Sequence, residues 1–187
     1  MPHRLLFAAR LANACRSADT RDAVTDAEDA QSARRFVQAF YDWYVPLGDR
    51  APATRLYRVV ARGPQWFTPM LQHALQRDVD AQRNVADIVS VVGDFDPFLN
   101  AQDPCPHYAA LAVVPRGTGW QVAVSAQCEG GVATPAVLLD VAREGTDWRF
   151  ANVRMPERPT VDLVSQREAA QAMRDSVSRS DTARSSY

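Results

Sequence analysis

Trp120-Gln121-Val122-Ala123-Val124-Ser125-Ala126-Gln127-Cys128 alternates between two sets of residues. Trp120, Val122, Val124, Ala126 and Cys128 fall on one side, and Gln121, Ala123, Ser125 and Gln127 on the other. A period of two marks a strand with one buried face. Residues 107–115 read as its partner, because Arg116-Gly117-Thr118-Gly119 between them is a hairpin signal. With Gly117-Thr118 as the turn, His107 is expected opposite Cys128. A second hairpin, residues 134–142 and 148–153, turns across Glu144-Gly145.

Upstream the period changes. Phe36, Phe40 and Tyr44 recur every four residues with Val37 and Tyr41 beside them, so residues 30–45 read as a helix ended by Pro46 and Gly48. A short helix is expected over 54–61. Pro64 is expected to open a third, running to about Arg83 with Trp66, Phe67, Met70, Leu71, Ala74 and Leu75 inward. Residues 84–92 fit helix or strand, and Gly93-Asp94-Phe95-Asp96-Pro97 reads as a turn. Downstream, 161–174 reads as an amphipathic helix capped by Thr160. Helices followed by an antiparallel meander give an α+β domain, with N-terminal helices packed on a curved antiparallel sheet. The expected organisation is a leader and flexible tether over 1–31, one domain over 32–175, and a disordered tail over 176–187.

With 187 residues, 47% of them hydrophobic, the chain suits one globular domain. A net charge of −1 gives no electrostatic case for nucleic acid or an anionic membrane. All 21 basic residues are arginine, which excludes a lysine Schiff base or a phosphate-loop lysine. No apolar run reaches the roughly 18–20 residues that span a bilayer. At the N-terminus, MPHRLLFAARLANAC combines a basic start, a short apolar stretch and small residues before Cys15. It reads either as a degenerate secretory signal with Cys15 as the cleavage or lipidation site, or as a plain amphipathic segment. Any membrane contact is expected only through such an anchor. The expected address is periplasmic or envelope-associated, with the cytoplasm as the alternative.

Candidate sites are few. Asp94, Asp96, Asn100, Gln102 and Asp103 place hard oxygens in a short stretch that would suit calcium. The spacing is not that of an EF-hand, and the favoured reading has Phe95, Phe98 and Leu99 plugging the core while the acids cap turns. No metal or cofactor is assigned. Tyr41 and Trp43 cannot both share the face of Phe36, Phe40 and Tyr44, so one of them is a candidate to line a pocket or interface, unless a wrapping sheet buries both. Cys105 and Cys128 lie near the open end of the first hairpin and form a candidate disulfide, against two separate buried thiols. No catalytic constellation is found: Cys105 and His107 are too close in sequence to orient one another, and no Gly-x-Ser-x-Gly elbow or phosphate loop is present.

Three segments come in a recognisable order: Phe36-Val37-Gln38-Ala39-Phe40-Tyr41-Asp42-Trp43-Tyr44, then Gly93-Asp94-Phe95-Asp96-Pro97-Phe98-Leu99-Asn100-Ala101-Gln102-Asp103, then Trp148-Arg149-Phe150-Ala151-Asn152-Val153. Together they resemble an uncharacterised bacterial family, domain of unknown function 3828, over about residues 32–153. The resemblance implies a cone-shaped fold like that of nuclear transport factor 2 and an envelope address. It implies no activity. Cone folds elsewhere host isomerases and dehydratases, in which Tyr41, Asp94 or Asp96 would take the pocket roles by analogy.

The leading expectation is an envelope protein-binding module, most sharply an immunity protein that neutralises a secreted antibacterial toxin, with Trp43, Arg55 and Arg62 suited to an interface. The alternatives are a small-ligand pocket protein or a lyase- or isomerase-like enzyme, and a structural envelope lipoprotein.

Overall fold

A computed structural model of the chain describes residues 5–49, 55–83, 96–101, 103–129, 131 and 134–184. The first helix, α1 (Leu5–Tyr44), buries Ala33, Val37, Phe40, Tyr41 and Tyr44. Those positions recur at the three- and four-residue steps of a single helical face. The helix starts far earlier than its aromatic end indicates. The stretch expected as a leader and tether is helical from Leu5, and it contains no glycine or proline to stop propagation.

A 3-10 turn, Val45–Asp49, leads to α2 (Arg55–Arg62). The single helix expected from Pro64 is broken in two: a 3-10 turn, Pro64–Trp66, and then α3 (Pro69–Arg83). Between them Phe67 pairs with Phe150 in the sheet, and the Thr68 N–H donates to the Phe150 carbonyl at 2.9 Å. That pairing pulls the chain out of helix, and Pro69 restarts it at a position where a missing N–H costs nothing. The restart also resets the inward face to Leu71, Ala74, Leu75 and Val79, leaving Met70, expected inside, 65% exposed.

Five strands follow as an antiparallel meander in the order β1-β2-β3-β4-β5: β1 (His107–Arg116), β2 (Gly119–Gln127), β3 (Thr134–Glu144), β4 (Asp147–Met155) and β5 (Arg158–Asp162). Both expected hairpins are present. Gly117 and Gly145 open their two-residue turns at φ +57° and +63°, where a side chain would be strained. Each of the four strand pairs carries a register shift. Such shifts bend strands and deepen the twist, and they curve this sheet around α1. The shift between Ala110 and Val113 moves His107 opposite Gln127 instead of Cys128, and Cys128 lies at the surface rather than on the buried face.

The sheet buries Val122, Val124, Val137, Leu139, Val141, Phe150 and Val153, and it packs against α1, α3 and the C-terminal helix. Its opposite face carries a polar ladder. Asp140 accepts from Gln121 at 2.8 Å and from Arg154 at 2.7 Å, and it faces Arg116 at 3.4 Å. Arg154 then reaches Asp162 at 3.6 Å, so the ladder touches all five strands.

The C-terminal helix α4 (Leu163–Arg184) begins later and runs further than expected. Residues 158–162 form β5, so the cap is Asp162, not Thr160. Its carboxylate accepts the Ser165 N–H at 2.9 Å and the Ser165 hydroxyl at 3.1 Å. The helix continues to Arg184 through most of the tail expected to be disordered. Burial alone would raise the Asp162 pKa. Hydrogen bonds from the Ser165 N–H, Asn152 and the Ser165 hydroxyl, together with the Arg154 charge, outweigh burial and hold it below the usual value. A depressed carboxylate contributes stability above its unfolded pKa and loses it as pH falls through the folded one. Asp162→Ala is therefore expected to cost about 1 kcal/mol at neutral pH. In urea titrations its deficit against the wild type should shrink on acidification. An equal deficit at pH values on both sides of the titration would show that the carboxylate charge contributes nothing.

Candidate functional site

The interior of the curved sheet is filled with rings. Phe40 lies 4.8 Å from Tyr44, 4.8 Å from Phe150, 5.3 Å from Phe98 and 5.3 Å from Trp66, centroid to centroid. Phe36 packs on Phe150 at 4.9 Å and on Trp66 at 5.3 Å. Such a stack is a rigid support for a surface.

The acidic loop belongs to that support. Residues 96–101 fold as a tight turn bridged from Asp96 to Ala101. Asp96 accepts the Phe98 N–H at 2.9 Å and the Tyr44 hydroxyl at 2.6 Å. Phe98 and Leu99 are buried, and their carbonyls accept from Tyr41 at 2.6 Å and Tyr108 at 3.3 Å. Asn100 adopts φ +49°, which asparagine tolerates better than most residues, and it donates to the Ala136 carbonyl at 3.1 Å. Ala136 is the extra residue of the β3 bulge, so its carbonyl is turned out of the ladder. The loop is a plug stapled to α1, β1 and β3. Asp103 is exposed, and Asp94 and Gln102 lie outside the described residues. Among the described residues no three His, Cys, Asp or Glu side chains gather to hold a metal ion. Tyr44→Phe leaves Asp96 short of one charge-assisted bond, at an expected cost of about 1.5–3 kcal/mol in chemical unfolding. A change within error would remove the plug from the account.

Tyr41 and Trp43 part company. Tyr41 is 1% exposed and stacks on Tyr108 at 5.4 Å. Burial first, then the Asp96 charge and Tyr108, push its pKa well above the ordinary phenol value, so it stays protonated with its proton committed to the Phe98 carbonyl. That is a poor setting for a general base. Trp43 is half-buried and stacks on Trp66 at 5.8 Å with the rings 23° from parallel. Both indoles close against Gly63. A Cβ there would sit 2.8 Å from Trp66 Cδ1 and 3.3 Å from Trp43 Cη2, so glycine lets the two rings come together.

Beside this pair opens a cleft of about 530 Å³ lined by Trp43, Leu47, Arg58, Arg62, Gln65 and Trp66. Arg58 and Arg62 stand four residues apart on α2, so both guanidinium groups lie on the same side of the helix. Arg149 approaches from β4, donating to the Gln65 carbonyl and lying 3.8 Å from Glu144. Trp43 was visible in the sequence as an aromatic with no place in the helix face. Trp66, expected inward, is half-buried instead, and the four-residue arginine repeat of Arg58 and Arg62 fits a plain solvated helix equally well in sequence.

A second cleft, about 460 Å³, lies between the end of α1 and the start of β1, beside Gln38, Asp42, Pro46, His107 and Gln127. Its polar groups serve the fold. Gln38 donates to the Tyr108 carbonyl at 3.1 Å and to Asp42 at 2.9 Å, and accepts the Ala110 N–H at 2.9 Å. With Arg34 on the Ala110 carbonyl at 2.9 Å, these bonds cover the free edge of β1 against strand addition.

Cys105 and Cys128 form a disulfide, with Cα atoms 4.8 Å apart and a sequence separation of 23. The bond belongs to a non-reducing compartment. Among the described residues no helix is long and apolar enough to cross a membrane. No protein-family model, curated protein or solved structure matches this chain.

Proposed function

We propose that this chain is a protein-binding module of the bacterial cell envelope, working through the face formed by Trp43, Trp66, Arg58 and Arg62. The observation that carries the reading is the stacked, half-exposed indole pair held on a filled aromatic core with two arginines beside it. Tryptophan and arginine dominate the energetically important residues of protein interfaces, and a pre-ordered aromatic surface loses little entropy on binding. The disulfide supports an address outside the reducing cytosol. On this reading Cys15, in the N-terminal half of α1, is the point at which processing or lipidation would tether the module. The sharpest form of the proposal is an immunity protein that occludes a secreted antibacterial toxin. The resemblance to the cone-shaped family implies an envelope address and no activity, so it supports the location and not the toxin.

A ligand-pocket carrier or cone-fold enzyme has less support, because aromatic rings occupy the described interior and Tyr41 is locked in hydrogen bonding.

The test is to immobilise the oxidised full chain, expose it to envelope and secreted fractions of its native host, and titrate any retained protein in purified form. A saturable one-to-one complex with Kd of about micromolar or tighter supports the proposal. A blank, with small molecules instead raising Tm in a thermal-shift screen, would replace it with the ligand-pocket reading.

A further inference from the structure

We infer that the Trp43–Trp66 cleft takes an acidic peptide segment of its protein partner, an apolar or proline side chain lying on the indoles and carboxylates meeting Arg58 and Arg62. The inference rests on the binding-module reading and adds the chemistry of what is bound.

Charge complementarity carries it. Among the described residues the cleft lining holds two arginines and no carboxylate, and no ion pair engages Arg58 or Arg62. On the sheet, by contrast, Arg143 is met by Asp29 at 2.5 Å, Arg154 by Asp140 at 2.7 Å and Arg149 by Glu144 at 3.8 Å. The cleft is thus a local positive field on a protein whose net charge is −1. Guanidinium groups match carboxylates as planar forks, and four-residue spacing on one helix presents two such forks side by side. The indole pair supplies the apolar floor. Two properties separate it from the second cleft, where Asp42 contributes a negative charge and Gln38 is already bonded three ways. The cleft is also open, formed by a surface step between α1, α2 and the Pro64–Trp66 turn, which suits a passing chain segment better than an enclosed small molecule.

The test uses a phage-displayed library of random heptapeptides selected against the oxidised full chain, with the Arg58→Gln/Arg62→Gln variant as counter-target. Glutamine keeps the side-chain stems, and circular dichroism would confirm the fold. Selected sequences should be enriched in Asp and Glu beside an aromatic or proline. A synthetic copy of the best one should bind the double variant at least about tenfold more weakly, and should weaken as salt is raised from about 0.05 to 0.5 M. Selected peptides without acidic residues, acidic peptides held equally by the double variant, or no selected peptide at all would overturn the inference. If host protein is still captured in any of those cases, the binding-module reading stands and only the acidic-segment assignment falls. If neither peptide nor protein is held, both fall.

Discussion

Phe40→Ala should lower stability by about 3–5 kcal/mol, the largest loss expected from any single substitution considered for this chain. The ring is fully buried, and seven other aromatic rings have centroids within 6.5 Å of it. Those neighbours come from α1, the Pro64–Trp66 turn and Phe67 after it, the acidic loop and β4, so collapse around the cavity would require several elements to move together. For a domain of this size the loss corresponds to a Tm drop of roughly 6–20 °C, measurable by calorimetry. Phe40→Leu, which retains most of the volume, should lose clearly less. Equal losses for both would mean that the ring's shape matters and its volume does not. A loss below about 1 kcal/mol would remove Phe40 from the centre of the core.

Opening the Cys105–Cys128 bond should cost about 3 kcal/mol, from the chain entropy of a loop spanning 23 residues. Cys128 is exposed, so a reductant can reach it without global unfolding. The loop that ends in Cys105 also carries Asp96, Phe98 and Asn100, and their amides should exchange faster with solvent once the staple is gone. Denatured without reductant, the full chain should show one reactive thiol, that of Cys15, and after reduction three. Cys105→Ser/Cys128→Ser should reproduce the stability loss. Three reactive thiols without reductant, or no change in the urea midpoint on reduction, would contradict the staple and with it the inference of an oxidising compartment.

The sheet and the aromatic helix were legible because their periods are local. Val122, Val124, Val137 and Leu139 alternate as strands must, and Val37, Phe40, Tyr41 and Tyr44 repeat as a buried helix must. What was hidden depends on contacts distant in sequence. The break at Phe67 comes from pairing with Phe150, which no reading of residues 64–83 contains. The β1 bulge, which shifts His107 by one position, has no turn residue to announce it, since Leu111 and Ala112 are ordinary strand residues. Asp162 is hidden as a cap because Val161 and Val164 look like one helical face in sequence, although Val161 is exposed near the end of an edge strand.

The candidate site divides in the same way. The acidic loop's composition fits calcium or a structural plug, and the structural alternative for Asp96, Phe98 and Leu99 is the one seen. The Trp43 surplus was readable from helix geometry. Arg62 was also readable as an interface arginine, but its neighbours Trp66 and Arg58 were not, because they reach Trp43 through a glycine contact and a helix crossing that leave no spacing in the sequence.

Side-by-side capture decides whether the Trp43–Arg62 face holds a protein. Wild type, Arg58→Gln/Arg62→Gln and His107→Ala, the last altered only at the other cleft, would be immobilised at equal density and offered the same envelope and secreted fractions. One dominant protein is expected on wild type and on His107→Ala, depleted at least about tenfold on the double arginine variant. Equal retention on all three surfaces, or a wild type that holds nothing above the blank, would contradict it.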